Sequence, residues 1–157
     1  MIELIPENKE SIIHHSKTLV ESFSKDGYHC SESIIRALVI TLELDVSEDL
    51  IISACGFRGG GGGYHDRCGI IEVGTMIISL IYGRKDVDED VERYSCLIRE
   101  LHERFEDYFG SIYCRDILLP LEENNIERPC LPTYIKGIEI ILELLFDVNN
   151  LLNNCQA

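Results

Sequence analysis

The sequence predicts an all-α fold: a compact bundle of six or seven helices with a glycine-rich loop at a cysteine site. Three observations carry that expectation. Apolar residues recur at three- and four-residue spacings along almost the whole chain. No pair of alternating apolar runs joined by a tight turn signals a hairpin, and no internal repeat appears. Glycine is bunched, with five of the 12 consecutive at Gly59–Gly63, a run that no helix or strand interior tolerates cheaply. A chain of 157 residues fits one domain, so residues 1–157 are read as a single helical unit.

The first helix, about 8–25, is amphipathic through Ile12, Ile13, Leu19, Val20 and Phe23, and Asp26-Gly27 stops it. A second, about 31–44, carries Ile34, Ile35, Leu38, Val39 and Leu42. Ser47, followed by Glu48 and Asp49, offers a capping oxygen and acids in the first turn of a short helix of about 48–56. After Cys68 the chain turns apolar nearly all round, which predicts a central buried helix, about 69–82, closed by Gly83. Its Ile and Val content would also suit a strand. A long charged helix, about 87–109, shows a stripe of Val91, Tyr94, Leu97, Ile98, Leu101, Phe105 and Phe109. Gly110-Ser111 breaks it and caps a short helix of about 112–119 containing Cys114. Residues 120–132 hold Pro120, Pro129 and Pro132 and read as a surface loop. The last helix, about 133–153, is amphipathic through Tyr134, Ile138, Ile141, Leu144, Leu145, Val148 and Leu151, and its apolar surplus suggests a homodimer.

Charge narrows the function. Fourteen Lys and Arg against 28 Asp and Glu give a net charge of −14. Both halves are acidic: 6 basic against 12 acidic residues in 1–78, and 8 against 16 in 79–157. There is no basic stripe for a phosphate backbone, so nucleic acid and anionic membrane surfaces are excluded as partners. Met1-Ile2-Glu3-Leu4 places acid where a signal peptide needs Lys or Arg, and the longest uncharged apolar run, Val73 to Tyr82, is about half a membrane span. A cytoplasmic protein is expected. In that reducing setting the seven cysteines, an odd number, argue against a disulfide scaffold.

The cysteines are therefore the informative residues. None forms a CxxC pair, so neither a zinc ribbon nor a thioredoxin-type motif is present. Cys30 stands before the second helix, Cys68 before the fourth, and Cys114 in the first turn of the helix capped by Ser111. Helix N-termini present free amides and a positive dipole end, an environment that lowers a thiol pKa. Arg58, Arg67 and Arg115 add positive charge beside Cys55, Cys68 and Cys114. Helix ends are numerous, though, and cysteine accepts any buried spot.

The glycine run is not a nucleotide loop. No Lys with Ser or Thr follows it, and the last position of a GxGxxG would fall on Tyr64 or His65. Gly59, Gly60, Gly61, Gly62 and Gly63 can instead bring bare amides up to sulfurs or an anion, with Arg67 nearby. A flexible connection between helices is the bland alternative. His65 and Asp66 precede Cys68, and His29 precedes Cys30, so His65 is a minor candidate metal ligand. Cys96 lies beside the apolar stripe and is expected in the core. Cys155 is expected to be mobile and idle. Cys130 lies in the Pro-rich loop, from which it could reach the site, although nothing in the sequence requires it there.

Cys30, the segment Ala54-Cys55-Gly56-Phe57-Arg58-Gly59, Cys68-Gly69, and Phe109-Gly110-Ser111-Ile112-Tyr113-Cys114-Arg115-Asp116 together resemble the C_GCAxxG_C_C family over about residues 27–119. The segment around Cys55 reads ACGFRG where the family has GCAxxG, with glycine and alanine interchanged. The resemblance implies a small redox-active protein of bacteria or archaea working through Cys30, Cys55, Cys68 and Cys114. It also implies electron transfer, through likeness to a module of certain multihaem cytochromes, although this chain has no CxxCH for haem attachment.

Four thiolates suit an iron–sulfur cluster, dithiol/disulfide exchange with a redox partner, or, less well, a structural zinc, whose ligands usually come in local pairs. Exchange enzymes generally keep both cysteines in one short motif, which favours the cluster here. A different class stays open: a non-catalytic helical binding module with buried structural cysteines. In either case the acidic surface would suit docking to a basic protein. No phosphate loop, HExxH or nucleophile motif points to hydrolysis or group transfer.

Overall fold

A computed structural model describes residues 2–122 and 129–155. Seven α-helices make up the described residues: α1 (Lys9–Lys25), α2 (Cys30–Thr41), α3 (Glu48–Ser53), α4 (Gly69–Tyr82), α5 (Glu92–Phe109), α6 (Cys114–Glu122) and α7 (Leu131–Cys155). There is no strand among them, only an isolated antiparallel bridge between Arg67 and Tyr113. The all-α expectation holds, and the apolar segment after Cys68 is a helix with the predicted bounds.

Hydrophobic burial explains the arrangement. α4, apolar nearly all round, and α7, with a broad buried apolar face, sit at the centre, with α1, α2 and α5 laid against them. Ile70, Ile71, Ile77 and Ile78 of α4 pack with Ile138, Ile141, Leu144 and Leu145 of α7, Ile34, Ile35 and Leu38 of α2, and Leu97, Leu101 and Phe105 of α5. Two glycines set the spacing. A Cβ on Gly74 would lie 2.7 Å from Leu101 Cδ2, and one on Gly137 2.6 Å from Ile70 Cγ2. The second of these approaches seats the first turns of α7 on the first turn of α4. The apolar surplus of α7, on which the expectation of a dimer rested, is buried within the chain.

Several boundaries differ from the sequence reading: α2 ends at Thr41 and not near 44, α3 ends at Ser53 and not near 56, and three others have a local cause. α5 starts at Glu92, not near 87, because the acidic stretch bonds to itself: Asp90 accepts the Glu92 amide at 2.9 Å and Glu89 accepts the Lys85 amide at 3.1 Å. α6 continues through Pro120 to Glu122; proline's fixed φ is helical, so its cost is the one missing amide and the crowding of a carbonyl near the helix end. α7 begins at Leu131, with Pro132 in the first turn, where a proline lacks nothing the helix needs.

The cysteines on the long helices also differ from expectation. Cys96, in the first turns of α5, is half-buried and joined by a disulfide to Cys155, the last residue of α7, with Cα atoms 6.3 Å apart. The two helices are antiparallel, and Arg104 of α5 donates to Asp147 of α7 at 3.0 Å one register further on. That packing carries the end of α7 to the start of α5. Cys96 is thus not plain core, and Cys155 is not idle.

Candidate functional site

The site begins in backbone geometry. All five residues of Gly59–Gly63 have positive φ, between 56° and 90°. That left-handed backbone costs about 1–2 kcal/mol per residue for a side chain with a Cβ. The coil they form closes on itself: Gly62 N donates to Gly56 O at 2.9 Å, Gly63 N to Arg58 O at 3.0 Å, and Asp66 N to Gly60 O at 3.0 Å. His65 continues it at φ 63°. Gly60 is the constrained member. A Cβ there would meet Asp66 N at 2.5 Å and Cys114 Cβ at 2.9 Å.

Next to this coil, residues 65–68 pair with residues 112–115. Cys68 N donates to Ile112 O at 2.9 Å, Cys114 N to Asp66 O at 2.7 Å, and Arg115 N to His65 O at 3.1 Å. These bonds set Cys68, the N-cap of α4, beside Cys114, the first residue of α6. Cys30 arrives from α2 as its first residue, just after the cap His29, whose amide donates to Glu32 at 3.0 Å. A Cβ on Gly69 would lie 3.2 Å from Cys30 Sγ and 2.4 Å from Phe57 O, so only glycine lets Cys30 approach the start of α4.

Cys30, Cys68 and Cys114 therefore face one cavity of about 500 Å³, joined by Cys130. Its wall also includes Tyr28, Arg58, His65 and Tyr134. The three helix-start sulfurs are deeply set, with 9%, 5% and 7% of their residues exposed. Backbone amides of Gly59, Ser31 and Cys30 near the Cys30 sulfur, and that of Ile70 near the Cys68 sulfur, pull the two thiol pKa values down.

Cys55 stands apart. It lies in a turn of 3-10 helix, Ala54–Phe57, is exposed, and is not on the cavity wall. Arg67 is also outside, exposed and paired with Glu72 at 3.5 Å; Arg58 is the arginine on the wall. Of the glycines, Gly59 and Gly63 line the cavity, Gly60 is buried behind it, and Gly61 and Gly62 are exposed. His65 lines it with Nδ1 buried and lacking a hydrogen-bond partner.

Sequence reasoning left Cys130 open and read Tyr134 only as part of an apolar stripe; both are on the cavity wall. A signal was there: Pro129-Cys130-Leu131-Pro132 has a proline at N2 of a helix, which sets Cys130 directly before a helix, as Cys68 is. Placing the helix start at 133 hid the parallel.

The electrostatics correct another expectation. Cys30 and Cys68 are raised above the ordinary thiol range, not lowered. Burial is the main cause at both, and it outweighs the amide donors; at Cys68 the neighbouring Cys30, Cys114 and Cys130 raise it further. Helix-end amides favour a thiolate only where water or a cation shares its charge. The Tyr134 phenol is pushed up as well, by burial first and then by the four cysteines around it. Among the described residues no three His, Cys, Asp or Glu side chains are grouped to hold one metal ion, and no helix is long and apolar enough to cross a membrane.

The fold and this site define a class: a small all-α domain that gathers cysteines from helix N-termini against a left-handed glycine coil. The chain belongs to the C_GCAxxG_C_C family, described as "Putative redox-active protein", whose profile matches residues 28–144. It is also similar to a protein of Archaeoglobus fulgidus described as an uncharacterized protein, 26% identical over 129 residues covering 76% of this chain and 85% of that one. No solved structure matches. The family match runs beyond the segment that carried the resemblance and takes in Cys130 and most of α7.

Proposed function

We propose that the chain is an electron-carrying protein whose redox group is held by the cavity cysteines, and that this group is an iron–sulfur cluster. The observation that carries the reading is three sulfurs, each from a different helix N-terminus, buried around one cavity. Cysteine thiolates are the usual cluster ligands, and amide N–H groups directed at sulfur are a recognised means of tuning one. Cys30 and Cys68 both have backbone amides near their sulfurs. Thiols that resist ionisation when crowded together release their protons to solvent when a cationic group binds the sulfurs, since its charge offsets both the burial penalty and the mutual repulsion. A single zinc ion suits the site less well, since no three ligands are grouped on one point.

In this reading Cys30, Cys68 and Cys114 hold the cluster, which when bound accepts and releases single electrons. The chain's own residues do the rest. The α2, α4 and α6 N-termini offset the negative charge of the sulfurs. The apolar start of α4 excludes water. The glycine coil supplies amide donors without side chains in the way. The surplus of acid over the surface suits a basic electron partner.

A second reading, dithiol/disulfide exchange, is favoured by one observation: the cysteines around the cavity form no disulfide yet share one wall. Anaerobic purification with iron and sulfide analysis and a visible spectrum separates the two. Bound iron and inorganic sulfide in wild type, both lost in Cys68→Ser, support the cluster. Absence of both after attempted reconstitution, with thiols that oxidise and reduce reversibly at a defined potential, replaces it with exchange. If neither is found, the redox reading falls and a helical binding module with structural cysteines remains.

A further inference from the structure

We infer that the cavity admits small organic anions, carboxylates above all, with Arg58 as their counter-charge. The inference rests on the reading that the cavity is the working site, and it names the class of molecule that enters beside the sulfurs. The make-up of the wall is the first observation. The chain has 28 Asp and Glu, yet among the described residues none of them lines the cavity. The basic side chains on the wall are Arg58, His29 and His65. A cavity with a guanidinium and no carboxylate, in a chain of net charge −14, is a local reversal of sign.

Arg58 is uncommitted. Among the described residues no carboxylate lies within ion-pair distance of it, whereas its neighbours are paired: Arg67 with Glu72 at 3.5 Å and Arg115 with Asp66 at 3.7 Å. Glu32 is taken up by the His29 amide at 3.0 Å. His65 adds an independent sign. Its backbone is pinned on both sides, the amide donating to Gly59 O at 2.9 Å and the carbonyl accepting from Arg115 N at 3.1 Å. This holds a residue with a Cβ at φ 63° and leaves its buried Nδ1 without a hydrogen-bond partner. An unsatisfied ring nitrogen on left-handed backbone is a pattern that ligand-binding groups show. Tyr28, Tyr134, Ile70 and Ile117 give the wall an apolar part for a carbon skeleton. The volume of about 500 Å³ falls in the usual range of small-molecule sites, roughly 300–1,000 Å³. The acid over the rest of the surface turns larger polyanions away.

Iodoacetate and iodoacetamide test this, because they are close in size and differ by one charge. With either, a thiolate sulfur bonds to the methylene carbon, iodide leaves and the thiol proton goes to solvent. The full-length chain, reduced and freed of any metal, is treated with each reagent, and the rate at each cysteine is read by peptide mass. The ratio of the iodoacetate to the iodoacetamide rate in the denatured chain is the reference. At the cavity cysteines of the folded chain that ratio is expected to exceed the reference about tenfold. The excess should vanish in Arg58→Gln and persist in Arg67→Gln, which has the same net charge. A cavity ratio at or below the reference, an unchanged ratio in Arg58→Gln, or an equal loss in Arg67→Gln overturns the inference. So does a cavity whose thiols take neither reagent. Iron and sulfide analysis is a separate measurement, so failure of the cluster reading leaves this outcome standing.

Discussion

The two ends of α7 use cysteine in opposite ways. Cys130 stands before its first residue, at a cavity where Cys30, Cys68 and Cys114 form no disulfide; Cys155, its last residue, is tied to Cys96. About 36 Å of helix separates the ends. At the cavity end, Cys30, Cys68 and Cys114 sit at helix starts beside Gly60 and Gly69, where a Cβ would meet neighbouring atoms. At the other end two half-buried residues meet because α5 and α7 run antiparallel. One amino acid thus supplies a set of gathered thiols at one pole and a staple at the other, and neighbouring backbone decides which.

Breaking the staple is expected to have the largest effect on stability. The bridge joins residues 59 apart, and closing a loop of that size is worth about 4 kcal/mol in the chain-entropy account. Urea unfolding of Cys96→Ser should show a loss of that order relative to oxidised wild type, and none relative to wild type in strong reductant. An equal difference under both conditions would mean that Cys96 acts through packing.

The cavity pole should respond to its glycines next. Gly60→Ala combines left-handed backbone with a Cβ 2.5 Å from a backbone nitrogen, so about 3 kcal/mol is expected. Gly61 has the same handedness with nothing within 4 Å, and Gly61→Ala should cost about 1 kcal/mol. Chemical denaturation of the pair separates contact from conformation, and similar losses would show that handedness alone shapes the coil.

The smallest expected effect concerns pH. Cys68 is raised in the folded chain, chiefly by burial. Its contribution is therefore complete below the unfolded thiol pKa of about 8.5 and is lost as pH climbs toward the folded value. Reduced, metal-free protein should lose stability above that point by up to about 1.4 kcal/mol per pH unit for this group. Unfolding midpoints in Cys68→Ser should fall less steeply with pH. An unchanged slope would mean that Cys68 is reached by water.

What the sequence disclosed and what it concealed follow the same division. Periodicity located the helices, because burying an apolar face leaves a repeat that is local in the chain, and α4 came out with its observed bounds. The glycine run and the cysteines at helix starts marked where Cys30, Cys68 and Cys114 meet, since caps and turns are also local. The pairing of Cys96 with Cys155 depends on how two helices lie side by side, which neither segment encodes alone. The opposite placements of Cys55 and Cys130 depend on where a turn of 3-10 helix faces and on the packing of Gly137 against Ile70. The thiol pKa values went the other way from expectation because burial is a property of the assembled core.

The glycine coil has a consequence for the order in which the molecule comes apart. Glycine gives up more freedom on folding than any other residue, roughly 0.5–1 kcal/mol beyond alanine at each position. Five in succession make one wall of the cavity the segment with most disorder to regain, while the opposite wall is built from the apolar starts of α4 and α7. Opening of the coil at Gly59–Gly63 would therefore cost less than melting the bundle, and it would loosen the backbone packed against Cys114 at Gly60 while the helices stay folded. The buried sulfurs have a door whose hinge is entropy.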